Sequence, residues 1–325
     1  MVDITTTYAG LKLKNPIIAA SSGLTATLEK VQKLVDNGVG AIVLKSLFEE
    51  QIEMQGASMM ETSDYPEAAD YIAEYVKSEE IAKYLELIKN IKSACDVPVI
   101  ASINCFRADA WTDFAKNIES AGADAIELNV MRLETDLFAA SDNFESQYID
   151  IVKGIASQVK IPVTVKLSSH ISNIPALIDK LRAAGAKGVV LFNRSYRTDV
   201  NIENECLTSG KIFTTEADLH DSLRYIGLTS AVVKKISYCA STGVHSAEAA
   251  IKAILVGADA VQMCSAIYKE GPEVIGKVLK GIEEWMQRKG YQTVEEFRGR
   301  LNASDIKSAT MFERMQFMKY FSKSK

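Results

Sequence analysis

The chain has 325 residues, 47% apolar and 24% charged, the balance of a globular protein with a sizeable core and the length of one large barrel-class domain. Lys and Arg number 37 against 42 Asp and Glu, so the net charge of −5 offers no basic field for nucleic acid or acidic lipid. With 6 Pro and 18 Gly the chain is neither disordered nor collagen-like; no apolar run reaches the roughly 18 residues of a membrane span, and the N-terminus lacks a signal-peptide pattern. Five scattered cysteines without a C-x-x-C pair exclude a zinc or iron–sulfur cassette built on such pairs and outline no disulfide framework, so a reducing cytoplasm is the expected compartment.

In chain order, residues 3–14 (DITTTYAGLKLK) read as a short hairpin covering the bottom of a barrel. Eight apolar runs of strand length follow: Pro16–Ser21, Ala41–Ser46, Pro98–Asn104, Ala125–Val130, Pro162–Ser168, Gly188–Asn193, Ile236–Ser241 and Ala260–Ser265. Runs two, four, six and eight each follow a helix that ends in glycine (NGVGA, AGADA, AGAKG, VGADA), where a positive φ stops the helix. Runs one, three and five open on proline, which loses no essential ladder bond at the first strand residue. The alternation is a two-strand unit repeated four times, and eight strands alternating with helices predict a (β/α)₈ TIM barrel. The competing open, doubly wound sheet lacks its G-x-G-x-x-G after the first strand.

Residues 47–80, after strand two, form an acidic, Met-containing insertion, and residues 194–230, after strand six, are too long for a plain connection and are expected to fold over the barrel mouth. The tail after Pro272 reads as helical in three pieces, EVIGKVLKGIEEWMQRKGY, VEEFRGRL and MFERMQFMKYF. No linker divides the chain, so residues 1–325 read as a single domain.

Chemistry in such barrels lies at the C-terminal strand ends. There the runs carry Ser21, Lys45-Ser46, Asn104-Cys105, Asn129, Lys166 with Ser168, Asn193-Arg194, Ser241-Thr242-Gly243 and Cys264-Ser265. A lysine inside an apolar strand is costly unless it meets an anion. Lys45 and Lys166 at one mouth, with three asparagines, point to an anionic planar ligand; the plainer reading pairs each with a barrel carboxylate such as Glu127. The small residues after strands seven and eight suit a phosphate held by backbone N–H groups, or are simply tight turns. His170 lies where it could face the site, whereas His220 and His245 read as solvated or capping, and no cluster has metal-ligand spacing.

On NPIIAAS, AIVLKS, IELN at 126–129, PVTVKL, the STGVHSAEAAIKAILVGADAVQMCSAIYKEGP run and the WMQRKGY ending, the chain resembles the dihydroorotate dehydrogenases, flavin-mononucleotide barrels, over nearly its whole length. It looks like the class 1 enzymes that lack membrane-binding helices, and closest to the dihydroorotate dehydrogenase-like branch. The resemblance implies FMN as cofactor, with Ala20, Ser21, Lys45, Ser46, Asn104, Asn129, Lys166, Ser241, Thr242, Gly243, Cys264 and Ser265 around it. Lys166 would stand beside the flavin pyrimidine edge, where a cation stabilises the charge that reduction leaves. Lys45, Asn129, Asn193 and Arg194 would face a small anionic substrate, a homodimer is implied with segment 194–230 at its interface, and hydride would pass to flavin N5.

The chain departs from the family's N-L-S-C-P-N signature, reading Asn129-Val130-Met131-Arg132-Leu133-Glu134, so Arg132 falls at the catalytic base position. The substrate-gripping N-S-M-G-L-P-N loop after strand two has no counterpart in ETSDYPEAADYIAEY. The expected consequence is FMN binding with weak or absent dihydroorotate oxidation and another preferred substrate. Two rival readings stand beside this one: a flavin-binding electron-transfer subunit that acts with a redox partner protein, and a flavin-free barrel lyase with Lys166 as Schiff-base nucleophile.

Overall fold

The computed structural model describes residues 2–48, 69–104, 111–130, 137, 141–194, 197–304 and 312. The chain opens with β1 (Thr6–Tyr8) and β2 (Leu11–Leu13), an antiparallel hairpin turned at Ala9 and Gly10, both at positive φ. Tyr8 and Leu13 from this hairpin are buried with Ile18, Val43, Ile100, Val190 and Cys239, side chains that point into one end of the strand ring. The hairpin is therefore the bottom plug its position in the sequence predicts.

The ring consists of β3 (Ile17–Ala19), β4 (Ala41–Val43), β6 (Val99–Asn104), β7 (Ala125–Asn129), β8 (Val163–Leu167), β9 (Gly188–Leu191), β12 (Ser237–Ala240) and β13 (Ala260–Met263). All neighbours are parallel, and β3 pairs with both β13 and β4 while β4 pairs with β6, which closes eight strands into a barrel. A two-residue strand, β5 (Leu47–Phe48), runs beside the upper end of β6. Each strand falls within its expected run.

Period two sorts the strand side chains. Ile17, Ala19, Ile42, Val99, Ala101, Ile126, Val189 and Val261 pack outward in the main core. That core is shared with α1 (Leu28–Asp36), α2 (Ala69–Ala94), α3 (Thr112–Ser120), α4 (Ser141–Ala156), α5 (Ile174–Ala183), α6 (Leu219–Val232), α7 (Ala247–Leu255) and α9 (Val274–Lys289). A six-residue helix, α8 (Ser265–Glu270), separates β13 from α9. Side chains of Thr27, Asn173 and Ser246 accept N-terminal N–H groups of α1, α5 and α7. Gly185 and Gly257 end α5 and α7 at φ 116° and 120°, the stop the sequence marks before strands six and eight.

Three expectations change. The segment after strand six contains its own hairpin, β10 (Thr198–Asn201) with β11 (Cys206–Ser209), but its last part is α6, the ordinary barrel helix packed on β12 and α7. Likewise Ala69–Glu80 is not insertion but the start of α2, and residues 49–68 lie outside the described residues. VEEFRGRL is a chain of turns rather than a helix, because its N–H groups are drawn off the helical pattern: Gly299 and Leu301 donate to Ile254 and Leu255 of α7. Of the MFERMQFMKYF piece only Phe312 is described. Among the described residues no helix is long and apolar enough to cross a membrane.

Candidate active site

Strand alternation that buries apolar residues at the bottom brings polar ones inward toward the top. Ser102 pairs in register with Glu127, Glu127 with Thr164, and Asn129 with Lys166, all fully or largely buried except half-buried Asn129. Above this layer lies a cavity lined by Ala20, Ser21, Lys166, Asn193, Arg194, Ser241, Thr242, Gly243, Cys264 and Ser265 from five strand ends, with Gln262 in its floor. Ten residues expected at the site thus meet around one space.

The wall over β12 and β13 is built by the segment following β11. Thr214 donates its N–H to Ser265 Oγ at 3.0 Å, its hydroxyl contacts His245 Nε2 at 2.9 Å, and its carbonyl accepts from Lys269 Nζ at 2.9 Å. Phe213 packs against Tyr268 with ring centroids 5.6 Å apart, and both line the cavity. Sequence reasoning missed Thr214, Phe213 and Tyr268. The unusual length of the segment signalled Phe213 and Thr214; Tyr268, in α8, had no signal of its own.

At the turn after β12, Thr242 and Gly243 both take positive φ, 68° and 72°. A Cβ on Gly243 would sit 2.3 Å from Leu219 N, so the turn accepts no side chain. Among the described residues the N–H groups of Thr242 and Gly243 donate to no protein acceptor, and both residues line the cavity. That is a backbone cradle for an oxyanion. Burial raises the Cys264 thiol above its usual range, so Cys264 is a neutral wall residue rather than a thiolate.

The two lysines part company. Lys166 is buried and donates to Gln262 Oε1 at 2.8 Å, with Glu127 at 3.7 Å. Lys45 is exposed and lines a different cavity with Thr27, Ser46, Tyr84 and Asn90, because β4 ends at Val43 and Lys45 no longer belongs to the alternating interior. The expectation that both cations converge on one mouth is corrected. The carboxylate partner of the plainer reading is present for Lys166, through Gln262.

Ser46 and Asn104 take structural places beside the cavity. Ser46 Oγ lies 3.0 Å from Ser21 Oγ and 2.7 Å from Ser102 Oγ, while the buried Tyr84 hydroxyl donates to Ser102 O at 3.2 Å and accepts from Ser102 N at 2.8 Å. Asn104 is buried and its Oδ1 has no partner among the described residues. Asn193 Nδ2 donates to Asn129 Oδ1 at 2.6 Å, joining the ends of β7 and β9. His170 instead bonds Ser168 and is absent from the cavity lining. Arg132, Glu134 and Cys105 lie outside the described residues.

A closed parallel barrel with a buried cation, a backbone oxyanion cradle and an amide pair at its C-terminal end defines a barrel enzyme for an anionic, polar-edged ligand. The model of the family described as dihydroorotate dehydrogenase matches residues 3–286, and the chain belongs to that family. It is 28% identical over 312 residues to the catalytic subunit of dihydroorotate dehydrogenase B (NAD(+)) from Thermoplasma volcanium, an alignment covering 92% of this chain and 98% of that protein. The corresponding subunit from Methanosarcina mazei is 28% identical over 314 residues (90% and 93% covered), and a putative dihydroorotate dehydrogenase A (fumarate) from Aeropyrum pernix 25% over 305 (91% and 97%). Enzymes of this family bind FMN and oxidise dihydroorotate. The chain is accordingly a flavin-dependent oxidoreductase of CH–CH bonds, and the Schiff-base lyase reading of Lys166 is set aside.

The residues present fit that cofactor. The Thr242-Gly243 cradle offers a phosphate N–H groups that no described residue takes, and Lys166 offers a buried cation; Asn104 Oδ1, outside the cavity lining, is a buried acceptor with no donor among the described residues. Among the described residues no three His, Cys, Asp or Glu side chains could hold a metal.

Proposed function

We propose that this chain binds one FMN in the cavity above Lys166 and uses it to oxidise dihydroorotate or a closely related anionic dihydropyrimidine. The observation that carries this reading is the meeting of Lys166, the Thr242-Gly243 cradle and the Asn193 strand end around one cavity. When bound, FMN supplies the acceptor for a hydride. Thr242 and Gly243 would hold its phosphate through backbone N–H groups, with Ser265 beside them. Lys166 would stabilise charge that develops in the cavity on reduction. Asn129 and Asn193, already joined to each other, would present amide donors and acceptors to the substrate, and Arg194, whose Nη1 is buried without a partner among the described residues, would meet its carboxylate. Phe213 and Tyr268 would exclude water from one side.

Electrons would then leave to a partner. The Thermoplasma volcanium and Methanosarcina mazei relatives are named catalytic subunits of an NAD(+) enzyme, which favours a redox partner subunit here. A homodimer is proposed as well, formed through the β10–β11 hairpin. The test is the absorbance spectrum of the purified chain followed by anaerobic addition of dihydroorotate. Bound FMN that bleaches supports the reading; a chain that neither carries nor takes up FMN overturns it.

A further inference from the structure

Within the barrel, β7, β8 and β13 each send one long polar side chain inward, and the three meet: Glu127, Lys166 and Gln262, with 0%, 6% and 2% of their surface exposed. Gln262 stands between the two charges. Lys166 Nζ donates to its Oε1 at 2.8 Å, and its Nε2 donates to Glu127 Oε2 at 2.5 Å. The charged groups themselves come no closer than 3.7 Å. Left alone in so dry a space, an ammonium and a carboxylate gain most by direct contact, which satisfies both.

This trio forgoes that contact. Glu127 Oε1 is buried with no hydrogen-bond partner among the described residues. A buried acceptor left unmet is a standing cost, which a purely structural ion pair would remove by letting the lysine descend. An ammonium has three donors. Among the described residues one is held by Gln262 and none is spent on Oε1, so Lys166 keeps the others for the cavity it lines.

We propose that Gln262 is a positioning residue: a neutral spacer that holds the Lys166 ammonium up in the cavity, away from Glu127, so that its charge acts on the bound cofactor. The proposal rests on the FMN reading above. Its consequence is electrostatic. An ammonium held 3.7 Å from its carboxylate instead of hydrogen-bonded to it leaves more of its charge to the cavity and favours the reduced, more negative flavin over the oxidised one.

The test compares the wild-type holoenzyme with Gln262→Met, which keeps the length of the side chain and removes its polar atoms. Midpoint potential is read against a reference dye, FMN affinity by flavin fluorescence on reconstitution, and thermal stability on the apo chain. Gln262→Met is expected to lose about tenfold of the preference for reduced over oxidised flavin, which for a two-electron couple is about 30 mV to the negative side. Adding Glu127→Gln to that variant removes the carboxylate onto which Lys166 falls and is expected to restore the potential. An unchanged potential in Gln262→Met overturns the proposal, and so does a loss that Glu127→Gln does not reverse. If Gln262→Met does not accumulate folded, Gln262→Asn, whose shorter amide cannot reach both charges, takes its place in the same measurements. A wild-type chain that binds no FMN overturns the cofactor reading itself, a separate outcome from a bound flavin whose potential ignores Gln262.

Discussion

A guanidinium stays protonated throughout the working pH range, so Arg132 cannot accept the proton that must leave a C–H bond when hydride departs from its neighbour. The family resemblance puts Arg132 where class 1 enzymes carry a cysteine base. Arg132→Cys is therefore expected to speed anaerobic reduction of the bound flavin by dihydroorotate, by roughly 10²-fold, the low end of what a positioned base contributes. Stopped-flow traces that superimpose on wild type would remove position 132 from the mechanism. At this scale most of the cavity wall was legible: Ser21, Lys166, Asn193, Thr242, Gly243 and Ser265 all come to one space. Lys45 did not, because a residue two places beyond the last strand position no longer obeys the alternation that its K-S motif implied. Gln262 was passed over although AVQM puts it on the same strand face as Ala260, the inward one.

Among the elements, the segment from β11 to α6 builds one wall of the site. Its anchor is Thr214, held by Ser265, Lys269 and His245 at once. Burial, with Lys269 nearby, depresses the proton affinity of His245 below its usual 6.5. The unfolded chain therefore takes up a proton at a pH where the folded chain resists it. The stability His245 contributes is present above about pH 6.5 and is lost as pH falls through the depressed folded value. Thermal midpoints measured from pH 7 down to pH 5 should fall, and His245→Asn should flatten that dependence; parallel curves for the two proteins would show that the Thr214 anchor is indifferent to His245. The sequence marked this segment by length alone. Hydrogen bonds that pin a loop to residues 31 and 51 positions away leave no local pattern to read.

Over the whole molecule, the β10–β11 hairpin is the outlying feature. Val200 and Leu207 stand opposite each other in register, with 57% and 76% of their surface exposed, beside Ile202 at 78%. Apolar side chains set together on a hairpin mark an association surface. The proposed homodimer predicts sedimentation at twice the 35.6 kDa chain mass at micromolar concentration, and Val200→Glu with Leu207→Glu should return the monomer while leaving FMN bound. A wild-type monomer under those conditions removes the dimer from the description. The same hairpin turns two exposed strands away from the barrel, so its substitution tests assembly with little effect on the core.

What the amino-acid sequence determined by itself was the barrel: eight β-rich runs, helices stopped at Gly185 and Gly257, and a plug hairpin are all local patterns, each read within one or two turns of chain. It also marked the Thr242-Gly243 turn, separated from the end of β12 by one residue, which lines the cavity. Closure of the ring decided the rest. Only when β13 returns to pair with β3 does Gln262 meet Lys166, 96 residues away, and Glu127, 135 residues away. Which polar side chains face one another across a barrel depends on how the strands are staggered around it, and that stagger belongs to no single strand.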